Sequence, residues 1–66
     1  MEQSRTVRAT KKPISVIAEQ VTEVTVVQTI EGPLTAQPGD WIITGVEGEK
    51  WPVKKEIFEK TYVIEE

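Results

Sequence analysis

Asp40, Glu47, Glu49 and Lys50 are the side chains that could be put to chemical use, and all four fall within one stretch, PGDWIITGVEGEK. A general acid–base pair needs two positioned titratable groups, and a hard cation needs several oxygen ligands. Three carboxylates and an amine could supply either. Glu47 and Glu49, however, flank Gly48 at what reads as a hairpin tip, where carboxylates are solvated. Asp40 follows Pro38-Gly39, a position where an aspartate caps its own turn through nearby backbone N–H groups. Thr44 has no activating base beside it. Gly45 and Gly48 lack both the spacing of a phosphate loop and its Lys-Ser/Thr. The chain contains no histidine and no cysteine, so the usual proton carrier near neutral pH, the thiolate nucleophile and the commonest transition-metal ligands are missing. The expectation is a protein that is not an enzyme and carries no cofactor and no metal.

Charge divides the chain. Residues 1–12 carry Arg5, Arg8, Lys11 and Lys12 against Glu2, which is +4 − 1 = +3, and residues 13–66 carry four lysines against ten acidic residues, which is +4 − 10 = −6. A basic N-terminal arm over 1–12, expected to be flexible as termini usually are, leads into one acidic domain over 13–66. The arm could bind RNA or DNA, with Lys50, Lys54, Lys55 and Lys60 near Trp51 as support, whereas the acidic body repels phosphates. No apolar run approaches the roughly 20 residues of a membrane span, and the N-terminus lacks the apolar segment of a signal peptide. A cytoplasmic location is the default. Sixty-six residues bury only about 60% of the unfolded surface, so the core rests on aliphatic packing or on a partner chain.

The stretches that must position these residues are short and β-like. Pro13 ends the arm. ISVIAEQV alternates as a strand, and TEVTVVQTI is a second, rich in β-branched residues that suit a pleated surface. Thr22-Glu23 is the expected tight connection between them. EGP at 31–33 is expected to break the pairing and leave LTA as an edge segment or bridging loop. QPGD at 37–40 spells a type II turn, with proline at the second position and glycine at the third. WIITGV and EKWPV then form a hairpin, with Pro52 placing the returning strand at an edge or its own nitrogen on the unpaired side. KKEIFEK is a helical turn near 54–60 that survives only if Ile57 and Phe58 dock on the sheet. The fold class is mainly β: a small antiparallel sheet or SH3-like barrel of four to six short strands with one short helical turn.

Register decides where the aromatic residues go. A two-residue Glu47-Gly48 loop pairs Thr44 with Trp51 and Ile43 with Pro52. It sets Ile42, Thr44, Val46, Trp51 and Val53 on one face and Trp41, Ile43, Gly45, Lys50 and Pro52 on the other. A three-residue loop reverses the relation, because an odd insertion flips the parity. Trp51 is expected in the core, and Trp41, at the turn end of its strand, either in the core or partly exposed at an interface. The candidate partner-binding residues are accordingly Trp41, Gly45, Lys50 and Pro52. Arg5, Arg8, Lys11 and Lys12 are the candidates for nucleic acid. Gly45 reads as a bulge, a close backbone approach or room for a neighbouring ring.

KKPISVIAEQ, EGPLTAQPGDWIITGVEGEKWPV and IFEKTY together resemble a group of small uncharacterised proteins of phages, prophages and bacteria that share a Pro-Gly-Asp-aromatic core and a closing Phe…Tyr. The matching positions are Pro38, Gly39, Asp40, Trp41, Thr44, Gly45, Gly48, Glu49, Trp51, Pro52, Phe58 and Tyr62, within residues 11–62. The resemblance implies a setting, a small accessory protein of phage-like origin, and carries no established activity; phage accessory proteins often act by binding a host protein. The expected function is thus protein interaction, with an unidentified protein or with itself, and nucleic-acid binding through the arm is the alternative.

Overall fold

The computed structural model describes residues 4–65, so the first three residues of the arm and Glu66 lie outside it. Five strands and one helix follow in order: β1 (Ile17–Gln20), β2 (Thr25–Thr29), β3 (Gly32–Ala36), β4 (Trp41–Thr44), β5 (Lys50–Val53) and α1 (Lys55–Thr61). They form a three-stranded antiparallel sheet in the order β1-β4-β5 and a separate antiparallel β2-β3 ribbon. The mainly β expectation holds, as two small sheets rather than a closed barrel. Residues 4–16 have no regular secondary structure, and Arg5, Arg8, Lys11 and Lys12 are all exposed. No helix among the described residues is long and apolar enough to cross a membrane.

Three local readings are corrected. Thr22-Glu23 does not join paired strands, because β1 pairs with β4 and β2 with β3. EGP does not break the pairing: β3 runs through Pro33, which sits opposite Gln28. Both strands of a two-stranded ribbon have an outer edge, where a missing N–H is tolerated. The helix docks through Phe58 alone, which is buried, while Ile57 is 53% exposed.

The β4-β5 hairpin closes with a three-residue loop. Gly45 N–H donates to the Glu49 carbonyl (2.8 Å) and Gly48 N–H to the Gly45 carbonyl (3.0 Å), with Gly48 at φ 85°. This is a turn over Val46-Glu47 followed by a left-handed glycine. Trp41 therefore faces Val53, Ile42 faces Pro52, Ile43 faces Trp51 and Thr44 faces Lys50. The two tryptophans share a face, the opposite of the two-residue reading. Since Gly45 and Glu49 form a hydrogen-bonded pair, alternation along the ladder makes Ile42 opposite Pro52 a non-bonded pair. Pro52 then points its nitrogen away from β4, and β5 is an edge strand as expected. Replacing Gly48 with alanine forces an L-residue into the left-handed region at about 1–2 kcal/mol. Urea unfolding of Gly48→Ala should show that loss, and Gly48→Asn a smaller one; equal midpoints for all three chains would mean that the loop refolds to another length.

Each face of the three-stranded sheet has its own cover. Ile42 joins Val21, Val27 and Ala36 in a buried cluster that ties the sheet to the β2-β3 ribbon. On the other face Ile43 is fully buried, and α1 covers that side by stacking Phe58 on Trp41.

Candidate functional site

The turn before β4 is the anchor of the site. Asp40 N–H donates to the Gln37 carbonyl at 2.9 Å, and Gly39 takes φ 94°, which completes the type II turn expected of Gln37-Pro38-Gly39-Asp40. Asp40 itself is buried. Its Oδ2 accepts from Gln37 N–H (3.0 Å) and its Oδ1 from Lys55 N–H (3.1 Å). The helix has no cap from its own N-cap residue, Lys54, so Asp40 satisfies one of the N–H groups that open α1 from fifteen residues upstream. Its carbonyl also accepts from Val21 N–H. One residue thus joins the turn, the end of β1 and the start of the helix. Those donors, Gln37 first and Lys55 second, with the charge of Lys54 adding, hold the Asp40 carboxyl below its ordinary value.

With α1 held in this way, three aromatic rings line up. Trp41 and Phe58 stack with centroids 4.0 Å apart and planes 11° from parallel. Phe58 and Tyr62 stack at 5.0 Å and 14°. Phe58 and Tyr62 are four apart, the spacing that puts side chains on one helix face, and Tyr62 N–H closes the helix on the Phe58 carbonyl. Gln20 lies opposite Trp41 in the β1-β4 register and donates through Nε2 to the Gly39 carbonyl (3.0 Å). These residues border an open groove of about 330 Å³ that Lys55, Glu59 and Ile64 complete. Trp41 and Tyr62 are half-buried, each with part of its ring left to solvent.

The four candidate binding residues do not come together. Trp41 and Gly45 lie on the helix-covered side of the register, and Lys50 and Pro52 on the side that carries Ile42. Lys50 Nζ donates to Thr44 Oγ1 across the strands at 3.0 Å. A Cβ at Gly45 would run into the Glu49 carboxylate, whose Oε1 accepts from Glu47 N–H (3.0 Å), so what crowds this glycine is a side chain of its own hairpin loop and neither a backbone nor a ring. Asp40 and the Glu47/Glu49 pair sit at opposite ends of β4, and among the described residues no three acidic side chains converge as a metal site would need. Of the groove residues only Trp41 belongs to the hairpin-centred reading; Gln20, Lys55, Glu59, Ile64 and the two aromatic residues Phe58 and Tyr62 fall outside it. The spacing of four between Phe58 and Tyr62, beside a Pro-Gly-Asp-aromatic turn, is the signal that points to them.

The fold and groove define a small two-sheet β protein with a single capping helix and an aromatic stack. The chain belongs to the PGDYG protein family, whose model matches residues 32–65. That span contains β3, the turn, the β4-β5 hairpin and α1, and so most of the groove. No curated protein and no solved structure matches the chain.

Proposed function

We propose that the chain is a non-catalytic accessory protein, of phage or bacterial setting and acting in the cytoplasm, that works by binding another protein through the Trp41–Phe58–Tyr62 groove. The observation that carries this is the stack itself. Two half-exposed rings held against a buried third give a rigid apolar surface that loses little entropy on binding, and aromatic residues of this kind are enriched among the anchors of interfaces. Lys55 and Glu59 at the rim supply charges of both signs to orient a partner. The engagement of Asp40 and Glu49 with backbone N–H groups supports a non-catalytic reading, since both are committed to architecture.

The test is capture from a bacterial lysate, with and without nuclease, comparing wild type with Ile64→Lys. Ile64 is an exposed lining residue, so its replacement spares the fold. A protein retained after nuclease and lost in Ile64→Lys is the expected result. Retention of the same protein by Ile64→Lys would sink the groove. A second reading rests on the four exposed cations of the arm: material lost on nuclease treatment, with a salt slope of about −3 for a single strand, would move the function to Arg5, Arg8, Lys11 and Lys12.

A further inference from the structure

The β2-β3 ribbon has an outer surface that the fold leaves bare. Side chains of β2 alternate: Val27 points inward to the buried cluster, and Val26 lies on the other side, 60% exposed. Val24 and Ile30, which share its parity just beyond the strand ends, are exposed as well. From Val24 to Gly39 the chain carries one charge, Glu31 at the ribbon turn. The other thirteen charges of the body, four lysines and nine acidic residues, lie outside that stretch, so two net-acidic copies approaching by their charged surfaces repel each other. The outer surface of β2 is a place where they would not.

The two edges of the ribbon differ. Pro33 has no N–H, so the pair Gln28–Pro33 is of the non-bonded kind, and alternation makes Val26–Thr35 another. The backbone groups of Pro33 and Thr35 on β3, and of Val26 and Gln28 on β2, then point away from the ribbon. Proline blunts the β3 edge, which is how natural sheets prevent pairing. The β2 edge, VTVVQTI from 24 to 30, has no proline, no charge and no glycine; among the described residues β2 is joined by strand pairing to β3 alone, and β5 packs against it without pairing.

We infer that a second copy of this chain pairs with that edge, β2 antiparallel to β2 about a two-fold axis at Val27. In this register Val26 lies opposite the partner's Gln28 and Gln28 opposite the partner's Val26. These residues supply the outward backbone groups on both sides, so the ladder closes without a mismatch. Val24 meets the partner's Ile30 on the outer surface, and Val27 meets its own copy on the inner one. The pairing is self-complementary and closed, giving a dimer and not a fibre. It is separate from the aromatic groove and does not depend on it.

Sedimentation of the full chain over a concentration series tests this, with Val26→Lys, Gln28→Glu and the double variant beside wild type. Mass should rise from one chain to two and stop. Val26→Lys should weaken association about tenfold or more through lost apolar pairing and a like charge close by across the axis, with its unfolding midpoint equal to that of wild type at concentrations where both are monomeric, because Val26 is exposed in the single chain. In the double variant each introduced lysine faces the introduced glutamate of the other copy, twice over about the axis, and most of the loss should be recovered. Ile57→Lys, on the helix, and Ile64→Lys, in the groove, should associate as wild type does. A monomer at every concentration, open-ended growth, association indifferent to Val26→Lys, or no recovery in the double variant would each overturn the inference. Loss of lysate capture in Ile64→Lys reads the groove independently.

Discussion

Phe58→Ala should leave the chain largely unfolded at 25 °C. Phe58 is buried and is the middle ring of the stack, in contact with Trp41 on one side and Tyr62 on the other. Truncating a buried phenylalanine costs about 3–5 kcal/mol, and each aromatic pair adds about 0.5–1.5 kcal/mol beyond its area. A domain of this size rarely has more than about 3–5 kcal/mol in total. The loss is also structural, because a seven-residue helix cannot stand in water by itself and Phe58 is its one buried residue. Loss of amide dispersion in NMR and of near-ultraviolet circular dichroism from Trp41 should accompany the change. Ile57→Ala, one position away and half-exposed, should stay within about 0.5 kcal/mol of wild type. Phe58→Leu should fall between, keeping burial while losing the stack. If Phe58→Ala unfolds cooperatively at the wild-type midpoint, α1 is not what covers the β4 face.

What could be read beforehand follows the range of the interaction. The type II turn at 37–40 was legible because Pro38 and Gly39 dictate it from within four residues. β2 was legible because β-branched residues are dense in it, and Pro52 marked an edge strand because it cannot donate. The facing of the tryptophans went the other way on a single residue of loop length. A two-residue hairpin loop of the favoured kind requires positive φ at both positions, a poor demand on Glu47. Adding Val46 leaves only Gly48 there, and among the described residues no non-glycine has positive φ. That preference was present in the residues and outweighed the pattern reading. The pairing of β1 with β4, and the bond from Asp40 to Lys55 N–H, link positions far apart in the chain. No local propensity encodes them, and so the groove, which both help to build, was not visible from the hairpin alone.

Asp40 offers the second large effect, and its sign with pH is specific. Asp40→Ala removes both acceptors, from Gln37 N–H and Lys55 N–H, and leaves an orphaned donor at the helix start and another in the turn. A domain this small moves its thermal midpoint by several degrees for the loss of one such bond. Asp40→Asn is the sharper probe. Its amide keeps one acceptor oxygen but turns an NH₂ toward the second N–H, so one bond is replaced by two facing donors. The Asp40 carboxyl lies below 3.8, the value for an unperturbed aspartate, chiefly through Gln37 N–H and then Lys55 N–H. A carboxyl depressed by folding adds stability that is fully present above its unfolded pKa and is lost as the pH falls through the lower folded value. The gap between wild type and Asp40→Asn in urea midpoint should therefore be constant from about pH 5 to pH 8 and narrow steadily below the unfolded value. A gap that is constant through acid would show that the carboxylate charge contributes nothing. A gap absent at neutral pH would show that Asp40 does not hold the helix, and the family's Pro-Gly-Asp turn would then need a reason outside the fold, with a partner's backbone as the acceptor's alternative donor.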